Sequence, residues 1–191
     1  KKILVKGDLE GEFFIPFEEN GKIAKNFHFH GKVSNALINL TKDFLVKNLT
    51  AEIDYRKGVK TNELTATIKN ASLFNLKLAN SNINLKKGEN KTTIRSSIAA
   101  SGKLNFSQIK KIASLFELNT DNFKNIDGIV NLKTNINFDL DRKFKIKNLV
   151  YKIEGKANSF DIDIKEKKIV KKYLPEFNSK INFENTDIKF F

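Results

Sequence analysis

Hydrophobic and polar residues alternate along most of the chain. Ile3, Val5, Leu9, Phe13 and Ile15 share one parity, as do Phe27, Phe29 and Val33. The same beat runs through Leu49, Ala51, Ile53 and Tyr55, through Leu64, Ala66 and Ile68, and through Phe74, Leu76 and Leu78. It is clearest in Val130, Leu132, Thr134, Ile136, Phe138 and Leu140. Period two puts every second side chain on one face of a β-strand. The predicted strands therefore have one apolar face and one face of Lys, Asn, Asp and Glu. That is the pattern of an antiparallel sheet with one wet side and one side in need of cover. Either a second sheet supplies the cover, or something from outside does.

Short polar segments separate the strands: Glu18 to Lys22, Arg56-Lys57-Gly58, Lys86 to Asn90 and Asp141-Arg142-Lys143. Asn20-Gly21 is a strong hairpin signal, because both residues tolerate positive φ. Two interruptions read as helices. Phe106, Ile109, Ile112, Ala113 and Phe116 recur at helical spacing, with Ser107 placed as N-cap. Ile169, Val170, Tyr173 and Leu174 do the same over 168–174, and Pro175 stops them. Both sit between strands like plugs on a sheet.

A weak repeat is also visible. Phe44-Leu45-Val46-Lys47-Asn48-Leu49 returns as Phe144-Lys145-Ile146-Lys147-Asn148-Leu149, and Gly31 to Asn35 resembles Gly155 to Ser159. Chance similarity in a chain rich in Lys, Asn and Ile is the competing explanation. If real, the repeats imply stacked units, about 1–100 and about 101–191, sharing one apolar face.

Composition changes this picture little. The chain has 191 residues, 40% of them hydrophobic, with 17 Phe and no Trp, Met or Cys. That length suits one domain or a slice of a longer array. The lack of Cys excludes disulfides, thiolate metal sites and a Cys nucleophile. The net charge of +13 is spread over scattered lysines, as codon bias in an AT-rich genome would produce. Those lysines fall on the polar beats, which reads as a solvated outer face or a surface meeting anionic lipid. Phe shares its parity with Ile and Leu, so aromatic rings and charge point to opposite sides. Single-strand nucleic-acid binders need both on one side, and that reading is disfavoured. No stretch approaches the ~20 apolar residues of a membrane helix.

Candidate chemistry is sparse. His28 and His30 share a strand face at a spacing that reaches one metal, but no Cys joins them. Asp139 with Asp141, and Asp161 with Asp163, pair carboxylates that suit a hard cation or a shared proton, among many lysines. Ser96, Ser97 and Ser101 lack a nearby histidine, and no nucleophile elbow, phosphate loop or dinucleotide fingerprint occurs. Asn39, Asn48 and Asn90 open glycosylation sequons of the kind an Asn-rich chain produces by chance. Neither catalysis nor a cofactor is expected.

One resemblance emerges from the strand order. Phe27 to Ile38 leads into Leu49-Thr50-Ala51-Glu52-Ile53-Asp54-Tyr55. Asn75 to Leu85 follows, then Ala99 to Phe106 and the 107–118 helix. This order resembles the AsmA-like superfamily, most closely the central region of YhdP-type proteins. The resemblance implies one segment of a longer repeating β-groove protein, anchored in the inner membrane of a Gram-negative bacterium and crossing the periplasm. It further implies a non-enzymatic conduit that moves phospholipid between envelope membranes, acyl chains in the groove and head groups wet. The alternative is a closed β-sandwich acting as a scaffold or protein-interaction module without lipid. The expected fold is all-β, an antiparallel, strongly twisted sheet curled into an open apolar groove. Strand parity places Phe29, Val33, Ile53, Ile68, Leu78, Ile98, Leu132, Ile136, Phe138, Ile153 and Ile162 on the apolar face as expected lipid contacts.

Overall fold

A computed structural model describes residues 4–41, 43–115, 117–165, 172–176 and 178–190. Nine strands form one antiparallel sheet in strict sequence order. They are β1 (Leu4–Phe14), β2 (Phe27–Thr41), β3 (Phe44–Lys57), β4 (Asn62–Leu73), β5 (Leu76–Lys87), β6 (Lys91–Asn105), β7 (Phe123–Asp141), β8 (Ile146–Ile164) and β9 (Lys180–Phe190). A helix, α1 (Phe106–Leu115), interrupts the meander between β6 and β7. Each strand pairs only with its sequence neighbours, and β1 and β9 remain free edges. The sheet is open.

These strands are long. Typical strands have five or six residues, whereas β7 and β8 have 19 each, about 60 Å when extended. A compact monomer of this mass, 21.8 kDa, exposes about 9,200 Å² by the usual scaling. This chain exposes 13629 Å², about half as much again. The excess is the signature of a single layer.

Register slips bend the sheet. Asn35, Asn48, Asn80 and Asn148 take φ of 50°, 52°, 48° and 52°, and each lies where the ladder shifts. Asn enters the left-handed region at little cost, so it serves as the extra residue of a bulge that twists its strand. Asn48 and Asn148 occupy the same place in the two similar hexapeptides. A division of the chain near residue 100 falls inside β6, which runs unbroken from 91 to 105.

Several local expectations need correction. The N-cap of α1 is Asn105, not Ser107. Asn105 Oδ1 accepts from the Gln108 N–H at 3.0 Å, and Gln108 Oε1 accepts from the Asn105 N–H at 3.0 Å. This reciprocal pair is a capping box, and Asn105→Ala is expected to cost α1 about 1 kcal/mol. Faster amide exchange confined to 107–115 would be the readout. Phe74, at φ 55°, belongs to the β4–β5 turn rather than to a strand. The Asn20-Gly21 turn forms, with the Gly21 N–H donating to Glu18 O at 2.9 Å. It closes only an isolated Phe17–Ile23 bridge, because β1 has already ended at Phe14. The helix expected at 168–174 falls mostly outside the described residues, as does Phe116.

Candidate functional site

Cross-strand partners lie on the same face of a sheet, so the register sorts every side chain. One rung reads Phe13, Phe29, Tyr55, Leu64, Leu85, Ile94, Phe138. The next reads Gly11, Gly31, Ile53, Ala66, Ile83, Ser96, Ile136, Tyr151. Val33, Ala51, Ile68 and Ser81 form another, Ile98, Thr134 and Ile153 another, and Leu78, Ala100 and Leu132 another. Ile126 and Ile162 pair further down. All eleven residues expected on the apolar face by parity share this one face. The register adds Leu85, Ile94 and Tyr151, and it places Tyr55 and Leu64, which share the parity of Ile53 and Ile68, on the same face.

Not all eleven present side chains to solvent in the same way. Phe29 is buried, because its ring lies over Gly11 and Gly31. A Cβ on Gly11 would meet the Phe29 ring at 2.7 Å, and one on Gly31 at 2.5 Å. Phe160 covers Gly128 similarly. These rings form floor. At the β1 edge, Leu9 and Phe13 are 61% and 63% exposed, and Phe190 on β9 is 58% exposed. The apolar face therefore runs out to open rims on both sides.

Helix α1 lies across this face at one end. Ile109 and Ile112 pack against the apolar cluster and Ala113 is buried. Lys111 Nζ reaches Asp43 Oδ1 of the β2–β3 turn at 3.4 Å. Beneath the helix is an almost wholly apolar cavity of about 310 Å³, lined by Leu104, Ile109, Ile112, Leu132, Ile136 and Tyr151 among others. A second, of about 490 Å³, continues toward β9 past Phe160, Ile162 and Phe183. Leu104, Ile109, Leu132 and Ile153 border both. The helix thus lines the groove as well as plugging the sheet. Its apolar stripe at helical spacing was the available signal.

The opposite face is polar, and apart from Ser96 the candidate chemistry sits there. His28 Nε2 is 2.6 Å from Asp54 Oδ2, while His30 Nδ1 is 3.8 Å away. Arg56 Nε holds the other oxygen at 3.1 Å. The His28 hydrogen bond, aided by the Arg56 guanidinium, keeps the Asp54 carboxyl below its ordinary range. No group of three or more His, Cys, Asp or Glu suited to a metal occurs among the described residues. Asp161 accepts from Asn182 Nδ2 at 2.7 Å, and Asp163 lies 3.9 Å from Lys124 Nζ. Ser96 donates to the Ile136 carbonyl at 3.1 Å. These side chains form hydrogen-bonded and ion pairs between neighbouring strands.

Asp139 is the most tightly held of these groups. Thr93 Oγ1 donates to it at 2.7 Å, Asn148 Nδ2 at 2.9 Å and Lys91 Nζ at 2.9 Å. These hydrogen bonds, Thr93 first, hold its carboxyl far below the usual range. A depressed folded-state pKa gives stability that is present above the ordinary value of about 4 and fades as pH falls through the folded value. Asp139→Asn is therefore expected to melt lower than the native chain at pH 7. The gap should narrow progressively below about pH 4. Thermal melts over a pH series measure it. Asp141 is fixed differently, by the N–H groups of Lys143 and Lys145 at 2.8 and 2.9 Å, which keep its pKa low.

No protein-family model, no curated protein and no solved structure matches this chain.

Proposed function

We propose that this chain is a lipid-binding conduit segment without catalytic activity, whose groove carries phospholipid acyl chains across a bacterial envelope. The observation that carries the reading is the broad and largely uncovered apolar face of a single open sheet. A scaffold or interaction module would cover that face with a second layer, and among the described residues the only cover is α1, ten residues long. Along β5 the apolar floor runs from Leu76 to Leu85, about 30 Å. The hydrocarbon of one lipid leaflet is about 15 Å thick, so the floor accepts acyl chains at full length. Each 100 Å² of apolar surface that a chain covers contributes about 2.5 kcal/mol before association costs. Large apolar patches rimmed by polar residues generally mark such sites.

The parent protein is taken to be AsmA-like, anchored in the inner membrane and reaching through the periplasm by parts outside this segment. No helix among the described residues is long and apolar enough to cross a membrane. Titration of the lipid-free protein with a phospholipid carrying an environment-sensitive acyl fluorophore tests the reading. The expected result is a saturable rise at about one or two lipids per chain, the number that the floor length admits. A covered scaffold gives no saturable signal.

A further inference from the structure

The two faces of the sheet sort charge almost perfectly. Following the register from β1 to β9, all but two of the ionic side chains in the described strands lie on the outer face. The exceptions are Lys57 and Lys87. Both lie on the groove face, in the same rung, which reads Phe27, Lys57, Asn62, Lys87, Thr92, Leu140. Four consecutive strands thus present hydrogen-bond donors at the end of the groove opposite α1. The adjacent rung, Tyr55 to Phe138, has no ionic group at all.

Codon bias scatters lysine without regard to face, so it does not account for this placement. Nor are the two lysines neutralised. Their outer-face neighbours Lys86 and Lys91 are paired, with Glu63 at 2.7 Å and Asp139 at 2.9 Å. Lys57 instead stands 5.6 Å over the Phe27 ring, and Lys87 is exposed. Lys57 and Lys87 are two strands apart, about 10 Å, a span that flexible lysine stems close around one phosphate with Asn62 between them. From that row to α1 the groove floor is largely apolar, interrupted by Ser81, Ser96 and Thr134, and carries no ionic group.

We infer that Lys57, Asn62, Lys87 and Thr92 form a head-group seat, and that the groove selects acyl lipids with a net negative head, tails directed toward α1. The inference rests on the lipid-groove reading and adds a charge preference and an orientation to it. Two ammonium groups near an anionic head supply about tenfold preference over a zwitterionic lipid of the same chains. A lysine that merely snorkels at the rim supplies none.

The test is native mass spectrometry of the purified chain after incubation with vesicles of equal phosphatidylglycerol and phosphatidylcholine with identical acyl chains. The expected result is about tenfold enrichment of bound phosphatidylglycerol, lost in Lys57→Gln/Lys87→Gln with the total bound lipid retained. Lys77→Gln/Lys133→Gln removes the same charge from the outer face and should leave the enrichment intact. Millimolar inorganic phosphate should not displace the lipid. Equal binding of both lipids overturns the inference and leaves the groove reading standing. So does enrichment that survives the groove-face pair, enrichment that falls equally in the outer-face control, or displacement by phosphate. Absence of any bound lipid overturns the groove reading itself, and this inference with it.

Discussion

Ile136→Asp is expected to reduce lipid retention at least tenfold while lowering stability by only about 1–2 kcal/mol. Ile136 sits in the middle of β7, in the rung that links Ile53 to Tyr151, and lines the cavity beneath α1. With lipid absent, that wall faces solvent, so an introduced carboxylate keeps its water and the folded state loses only the isoleucine's partial burial. With an acyl chain against it, the carboxylate is stripped of water without a partner, which costs several kcal/mol. The penalty therefore falls on binding. Phe138→Asp, one rung nearer the open end, should behave alike. A closed core predicts the reverse: the unpaired charge is buried in the folded state itself, and melting temperature collapses. Thermal melting and bound-lipid content measured on the same preparation separate the two outcomes.

Gly102→Val should be among the most damaging single changes to the fold, at about 2–5 kcal/mol. Gly102 adopts φ of 140°, a conformation that L side chains rarely take. A Cβ there would strike the carbonyl oxygen of Asn75 and come within 3.3 Å of the Leu76 Cα. Both are backbone atoms, at the end of the β4–β5 turn and the start of β5, and cannot swing aside. Strain and steric overlap therefore add, against a total stability that for most domains is only about 5–15 kcal/mol. Urea denaturation gives the difference directly. A variant with native midpoint would show that the turn and β6 are not in this close approach.

The alternation in sequence was sufficient to read the class of the fold, and in β6 and in β7 from residue 125 onward it was sufficient to read the face of every residue. Those two strands pair without a slip over 15 residues. Elsewhere parity reverses within a strand. In β2 the apolar face passes from Val33 to Ala36, and in β5 from Leu78 to Ser81 and Ile83. The reversal centres on Asn35 and Asn80, each at positive φ. An asparagine straddled by a change of hydrophobic parity is a legible bulge signal, one that the strand-by-strand reading did not use. The expected groove residues nonetheless fall on one face because each was placed within a run that contains no slip. Asn105 and Ser107 are both good capping residues, and what favours Asn105 is Gln108 three residues on, the spacing of a capping box. Lys57 and Lys87, by contrast, were hidden. Each is one of many lysines at a strand end, and only the register across β3, β4 and β5 places them on the groove face and in one row.

The central claim is that the apolar face is a lipid track rather than an uncovered remnant of a core. The most direct measurement is native mass spectrometry of this chain purified, without detergent, from a bacterial envelope. The account predicts that the chain emerges with phospholipid bound, at about one or two molecules per chain, and that organic extraction removes it while leaving the strand-rich circular dichroism spectrum unchanged. A chain that emerges lipid-free, refuses added phospholipid and remains folded and monomeric would contradict it.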